Sequence, residues 1–234
     1  MKNIVWLLII LFISSGVYAQ EKALTQAQFD AVHQGSLEAW SLDNWRGKPF
    51  RRIIITGSRL EGRPQTDYTS KSIVEYASPT DFRTVYESSL GAKKSKTESV
   101  RSGDKIYFRK DDGDWQNGTR QSPTEGVKPP PADKAASEDV EYKFLGTEKL
   151  GNQTAKVYAA HVKTKRIDAA DGQETIADTT TKYWFGEDGI LLKTDMVAES
   201  RTGEKTYHTL VTQIWEADEN IKIIAPTLNA AQQK

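Results

Sequence analysis

Alternating apolar and polar positions run through most of the chain after residue 50. Between residues 139 and 150, Val140, Tyr142 and Phe144 alternate with Glu141 and Lys143, which places the apolar side chains on one face of a strand. The same period of two, interrupted by turn sequences, predicts strands at 51–58, 69–78, 81–88, 96–101, 105–110, 154–163 and 173–185. Because turns rather than helices separate these runs, a parallel sheet of βαβ units is excluded.

The region 179–226 has the form of a closing meander. Strands are predicted at 180–185, 190–199 and 204–217, and the separators between them end in Gly189 and Gly203, which supply the positive φ of a tight hairpin. A short run at 221–224 predicts a last strand, which Pro226 ends. The whole pattern predicts about 10–11 antiparallel strands.

One helix is predicted, at 24–41, where apolar residues recur at helical spacing. Thr25 and Gln28 have the spacing of a capping box, which favours a helix start at this point. A sheet of so many strands is expected to curl. The helix can then cover its inner face.

The N-terminus has the features of an export signal. Lys2 precedes an uncharged apolar run at 4–13, and Val17-Tyr18-Ala19 fits a cleavage site with small residues. The alternative is a retained membrane anchor, although the run is shorter than the roughly 20 residues of a spanning helix. The sequence therefore predicts a signal peptide at 1–19, one domain at 20–234, and a periplasmic or secreted location.

Composition narrows the function classes. The chain has 32 basic and 32 acidic side chains, which differs from the basic excess of a nucleic-acid binder. It has no cysteine, so its stability must come from the core rather than from disulfides. The basic cluster Lys93, Lys94 and Lys96 could contact anionic headgroups, but a solvated turn is the favoured interpretation.

The sequence contains no motif of a known catalytic centre. It lacks HExxH, the Gly-x-Ser-x-Gly elbow and a glycine-rich phosphate loop, and its three histidines, at 33, 161 and 208, are not at metal-ligand spacing. Asp111, Asp114 and Asn117 suggest calcium, yet the EF-hand spacing is not met and a polar turn is the better interpretation. We therefore expect no enzyme activity, no metal and no cofactor.

A proline-rich segment at 121–137 interrupts the strand pattern. Consecutive prolines favour polyproline II structure and cannot join a sheet. Long segments of this kind are usually lids or binding loops. A linker between two domains is the alternative, but strands of the same character lie on both sides of the segment.

The closing strands carry a resemblance to a known family. The residues concerned are Tyr183-Trp184-Phe185, then Asp188-Gly189-Ile190-Leu191-Leu192-Lys193, the run from Tyr207 to Trp215, Asn220-Ile221-Lys222-Ile223 and Pro226. Together with the order of export signal, helix, meander, interrupting loop and closing strands, they make the chain similar to the LolA-like and LppX-like lipoprotein-carrier superfamily. The resemblance implies a mainly β fold, an unclosed half-barrel whose concave face is covered by helix, with an apolar space that holds acyl chains.

That resemblance implies an exported carrier or chaperone that binds a lipid acyl chain or a lipoprotein. A further partner would be an envelope membrane protein, and the chain is expected to be a monomer. The alternative is a non-catalytic structural or interaction module with a filled core.

Eleven apolar residues are predicted to line the ligand space, because the period-two pattern gives each of their strands one apolar face. They are Phe82, Tyr86, Ile106, Phe108, Tyr142, Phe144, Ile190, Leu192, Met196, Leu210 and Ile214. The helix is expected to cover one end of this space, and Pro129-Pro130-Pro131 to hang over its mouth. A filled core made of the same residues is the alternative.

Overall fold

The computed structural model describes residues 21–40, 48–118, 134–167 and 172–228, with the backbone alone at 34–39 and 134–137. Within these ranges, twelve strands form one sheet and fourteen residues form one α-helix, α1 (Gln26–Ala39). The strands are β1 (Lys22–Leu24), β2 (Phe50–Leu60), β3 (Tyr68–Tyr76), β4 (Phe82–Leu90), β5 (Lys93–Ser102), β6 (Lys105–Lys110), β7 (Gln116–Gly118), β8 (Lys134–Leu150), β9 (Gln153–Ile167), β10 (Glu174–Phe185), β11 (Leu191–Thr202) and β12 (Lys205–Ala217).

The sheet consists of two antiparallel meanders placed side by side. Its order is β1-β8-β9-β10-β11-β12-β2-β3-β4-β5-β6-β7, so β12 returns to pair with β2 along its length. β1 and β7 stand at the two ends of this order, and the sheet is not closed into a barrel. The prediction of a mainly β, unclosed antiparallel fold with one helix is confirmed. The three-residue strands β1 and β7 are the elements that the pattern missed.

A capping box starts α1, as the sequence predicts. The Gln28 backbone N–H donates to Thr25 Oγ1 at 3.3 Å, and the Thr25 backbone N–H donates to Gln28 Oε1 at 3.0 Å. These two bonds satisfy donors that a helix start leaves without intrahelical partners. Leu24, predicted as helical, belongs instead to β1 and pairs with Tyr142.

The predicted last strand at 221–224 is wrong. The chain leaves the sheet after Ala217, where the Asp218 backbone N–H donates to the Pro49 carbonyl at 3.0 Å and the Ile221 N–H donates to the Asp218 carbonyl at 3.2 Å. Since β12 already pairs with β11 on one side and β2 on the other, no free strand edge remains beside it. Ile221 is buried, whereas Ile224 is 81% exposed.

The predicted turn at Lys93, Lys94 and Lys96 is also wrong, because β5 already begins at Lys93. The turn lies earlier, at Gly91, whose φ of 55° lies in the region that favours glycine. The polar turn predicted near Asp111 is confirmed: Asp111 Oδ1 accepts from the Lys96 backbone N–H at 2.9 Å, and Asp112 Oδ1 lies 2.8 Å from Lys96 Nζ.

Two predicted features lie largely outside the described residues. They are the signal peptide at 1–19 and the proline-rich segment, of which only 134–137 is described, as the start of β8.

A buried carboxylate organises the charges on β4, β5 and β6. Glu98 is 2% exposed and lies 3.0 Å from Arg83 Nη2, 3.1 Å from Lys96 Nζ and 2.8 Å from Arg109 Nη2. Burial alone would raise the pKa of Glu98, but hydrogen bonds from the three cations outweigh it and hold that pKa below its ordinary value. Glu98 is therefore ionised in the folded protein and joins three strands.

Replacing Glu98 by glutamine is expected to lower the free energy of unfolding by about 2–3 kcal/mol, because three cations lose their shared counter-charge. A carboxyl whose pKa is lowered by folding stabilises the protein above its unfolded pKa of about 4.3, and this stability is lost as the pH falls through the folded value. Denaturant unfolding of wild type and variant should therefore converge as the pH is lowered below about 4. Glu204→Gln, at an exposed turn position, is the control. Equal stability of the Glu98 variant and wild type at pH 7 would contradict this role.

Candidate functional site

The two faces of the sheet follow from the strand register, since residues directly opposite each other on paired strands share a face. The ring centroid of Phe29 on α1 lies 4.5 Å from that of Tyr142 and 5.3 Å from that of Tyr183. The Trp40 ring, just after the helix, lies 5.0 Å from the Phe50 ring. We call the face that carries Tyr142, Tyr183 and Phe50 the helix face, and the other the opposite face.

Helix α1 is fixed to the sheet through aromatic rings. Phe29 is 6% exposed, and it stacks on the rings of both His33 and Tyr142. His33 also meets the Tyr183 ring edge-on at 5.2 Å. Burial lowers the pKa of His33 below its ordinary value, and the nearby Asp30 opposes this effect. The neutral imidazole therefore suits this apolar contact.

A small core lies where the helix ends. Phe50, Phe185, Leu191 and Trp215 are each less than 10% exposed and form one cluster. Trp40 packs against this cluster and donates its indole N–H to the Leu191 carbonyl at 2.6 Å. The bond joins the end of α1 to the first residue of β11.

A cavity of about 580 Å³ adjoins this core at one end of the strands. Residues at the start of β2, at the end of β12 and in the β10–β11 turn line it. Its apolar lining comes from both faces and includes Trp40, Phe50, Ile190, Leu192, Ile214 and Trp215. Charged residues also border it, namely Lys48, Asp188, Lys193 and Glu216. This volume is within the range of about 300–1,000 Å³ that is usual for small-molecule sites.

An arginine lies on the helix face beside the cavity. The Arg52 guanidinium carbon is 5.5 Å from the ring centroid of Trp215, one of the lining residues. Arg52 Nη2 donates to Gln213 Oε1 at 2.6 Å, while the buried Nε finds no hydrogen-bond acceptor among the described residues. The ion pairs of the described residues do not include Arg52. Its charge is balanced there only by the ring and an amide oxygen.

Seven of the eleven predicted ligand residues share the helix face, as the strand register shows. They are Phe82, Tyr86, Ile106, Phe108, Tyr142, Phe144 and Met196. They are spread across the whole sheet, however, from β8 near one edge to β6 near the other, and none of them lines the cavity. The Tyr86 hydroxyl is hydrogen-bonded to that of Tyr68, and Phe108 is 40% exposed.

Leu192 does not share the face of Met196, because a bulge interrupts the alternation. The register passes from Trp184 opposite Lys193 to Phe185 opposite Leu191, so Leu192 is an extra residue. Leu192 packs against the cluster of Ala155, Val157 and Trp184 on the opposite face. The prediction from unbroken period two is therefore wrong at this point.

Leu210 and Ile214 lie on the face of β12 opposite Tyr207 and Trp215, as the pattern predicts, but this is not the helix face, where seven of the other predicted residues lie, so the prediction that they meet is wrong. Leu210 pairs with Val197, and both side chains are more than half exposed, at 57% and 55%. Both faces of β12 are apolar, since Tyr207, Val211 and Trp215 alternate with Leu210 and Ile214, and the prediction assigned the wrong one of them to the side that the helix covers. Ile214 nevertheless lines the cavity, as do Ile190 and Leu192.

The sequence interpretation missed three aromatic residues that line the cavity, Trp40, Phe50 and Trp215. Trp40 and Phe50 flank the segment between the helix and β2, where neither period applies. The signal that could have found them is a large aromatic residue at the end of the helix and another at the start of the next strand.

Within the described ranges, no cluster of side chains forms a metal site. The helix described there is not suited to crossing a membrane. No group of three histidine or carboxylate side chains is arranged to hold a metal ion, and no helix is long and apolar enough to span a bilayer. His161 is paired with Asp178 at 2.7 Å and His208 with Glu199 at 3.6 Å, both on the opposite face. The cavity, whose apolar lining includes three large aromatic rings, is the candidate ligand site, and Arg52 lies beside it.

Comparison with known proteins gives a distant likeness to solved structures. No family model and no curated protein matches the sequence. Among solved structures, the chain is similar to LprF from Mycobacterium bovis, with a TM-score of 0.43 and 10% identity over 88% of this chain and 99% of that one. It is also similar to a LolA superfamily protein from Nitrosomonas europaea, with a TM-score of 0.31 and 8% identity over 86% of this chain and 96% of that one. Both structures are at most 10% identical to this chain and align with it at TM-scores below 0.5.

Proposed function

We propose that this chain is an exported carrier that binds the acyl chain of a lipid or lipoprotein in the cavity at the end of the sheet. The observation that carries the proposal is the cavity itself, a space of about 580 Å³ whose lining includes three large aromatic and four branched aliphatic side chains. Each methylene transferred from water to such a lining contributes about 0.8 kcal/mol. A chain of modest length can therefore supply useful affinity without polar contacts.

Dodecanol tests this function, because it is an acyl-length ligand without a charge. Native mass spectrometry should show one dodecanol per protein, and the alcohol should displace an environment-sensitive fluorescent alkyl probe. Protein purified from cells is expected to carry a co-purifying lipid that delipidation removes. If the protein stays free of ligand in all three experiments, the carrier function is wrong.

A structural or interaction module is the second candidate. The observation in its favour is the direct packing of Phe29 on Tyr142 and Tyr183, which fills part of the helix face with the protein's own side chains. Such a module would be stable and would bind no alkyl chain. The dodecanol experiment separates the two candidates.

Export is part of the proposal. We expect the mature protein to begin at Gln20, after cleavage behind Ala19. Intact-mass measurement of the envelope fraction tests this expectation. A mass that retains residues 1–19 would instead support a membrane-anchored protein.

The remaining expectations concern organisation. We propose one domain at 20–234, a monomer that does no chemistry on its ligand, and delivery to or from an envelope membrane protein. Size-exclusion chromatography with light scattering tests the monomer.

A further inference from the structure

Among the described strand residues around Arg52, the helix face carries hydrogen-bond donors and a positive charge but no carboxylate. By strand register, the described residues of β11, β12, β2, β3 and β4 place no aspartate or glutamate on this face. The acidic residues of these strands, such as Glu75, Asp195 and Glu199, point to the opposite face. Arg52 is thus a half-buried cation for which the described strands of this face supply no counter-charge.

The partner of Arg52 strengthens this asymmetry. Arginine can only donate, so Gln213 must accept from Nη2 through its Oε1. The amide N–H groups of Gln213 then remain available, and no described residue accepts from them. Arg52 Nε is also a donor without an acceptor in the described part of the chain. The pair offers several N–H groups, and its one acceptor atom, Gln213 Oε1, already accepts from Arg52, which is a composition suited to an anion.

The position of the pair relates it to the cavity. Trp215 lines the cavity, and the Arg52 guanidinium lies over the ring of the same residue. Tyr76 is near as well: burial raises the pKa of Tyr76, and the charge of Arg52 opposes that rise. Tyr76 stacks on Phe50, which also lines the cavity. Arg52 is not itself a lining residue, but its guanidinium lies over the ring of Trp215, which is one.

We propose that Arg52 and Gln213 bind the acidic group of the ligand, so that the carrier selects anionic amphiphiles, with a carboxylate or a phosphate monoester at the end of an alkyl chain. The alkyl chain lies in the cavity along Trp215 and Phe50, and the acid group replaces solvent at the guanidinium. A planar guanidinium suits two parallel hydrogen bonds to such a group. This inference rests on the proposed carrier function and adds its ligand class.

The test compares ligands that share one chain length and differ in the terminal group. At pH 8 and fixed ionic strength, dodecanoate and dodecyl phosphate are expected to bind wild type at least about tenfold more tightly than dodecanol, a difference of about 1.4 kcal/mol. Acetate and inorganic phosphate are expected not to compete, because the alkyl chain supplies most of the affinity. Competition by these free anions would mean a site for small anions and would overturn the proposal.

Variants assign the preference to Arg52. Arg52→Gln should lose the preference for the acids, so that its affinities for dodecanoate and dodecanol become nearly equal, whereas Arg52→Lys should recover part of the preference. Arg101→Gln is the matched control, because Arg101 lies on the same face, over the Phe82 ring at 5.9 Å, and does not adjoin the cavity. A purely structural arginine would change the melting temperature without changing the ratio of acid to alcohol affinity.

The outcomes separate this inference from the function beneath it. Failure of wild type to bind any of the dodecyl ligands would refute the carrier. Equal binding of dodecanol and dodecanoate would leave the carrier intact and overturn the role of Arg52. An acid preference that persists in Arg52→Gln, or disappears in Arg101→Gln, would also overturn it.

Discussion

Replacing Phe185 by alanine is expected to lower the free energy of unfolding by about 3–5 kcal/mol, among the largest effects of a single substitution in this chain. Phe185 is 1% exposed and packs in the cluster with Phe50, Leu191 and Trp215. Its ring also meets that of Tyr158 edge-on at 5.5 Å. Truncation removes these contacts and leaves a space that the surrounding strands can fill only in part. Equilibrium unfolding in urea measures the loss.

Val197→Ala is the matched control for this substitution. Val197 lies on the next strand but is 55% exposed on the opposite face, so its truncation should cost less than about 1 kcal/mol. If Phe185→Ala and Val197→Ala destabilise the protein equally, the cluster that contains Phe185 is not the main core of the protein.

Replacing Ile214 by tryptophan is expected to weaken binding of a dodecyl ligand by at least about tenfold. Ile214 lines the cavity, and the indole would occupy space that the ligand needs. Because the cavity has room, the variant should melt close to wild type. In a filled core, the same enlargement would cost roughly 1–3 kcal/mol. Fluorescence titration and thermal unfolding of the same preparation give both quantities.

Leu210→Trp provides the control, since Leu210 lies on the same strand and face but is 57% exposed and away from the cavity. It should leave both affinity and melting temperature unchanged. Early melting of Ile214→Trp would favour the filled core, and unchanged binding by this variant would place the ligand elsewhere.

The sheet could be predicted from the sequence because its strands have a clear period and its turns have the right residues. The alternation of Val140, Tyr142 and Phe144, and the Gly189 and Gly203 turns, each correspond to an observed strand or hairpin. The capping box at Thr25 was equally local. Features that depend only on neighbours within about four residues along the chain could therefore be predicted.

The order of the strands and the lining of the cavity could not be predicted in the same way, because they depend on contacts between segments that are distant in the sequence. No local signal shows that β12 pairs with β2, which closes off a strand at 221–224. The bulge that turns Leu192 away from Met196 depends on the register between β10 and β11. Trp40 is held at the cavity by contacts with residues distant in the sequence, among them its hydrogen bond to the Leu191 carbonyl.

Photolabelling tests most directly whether an acyl chain occupies the cavity. The protein would be irradiated with a dodecyl ligand that carries a diazirine in its chain, digested, and mapped by mass spectrometry. We expect the label on Phe50, on residues 188–193 or on residues 214–217, with much less label in the Ile214→Trp variant. Label concentrated instead on the exposed Phe108, or spread evenly over the opposite face, would contradict the account.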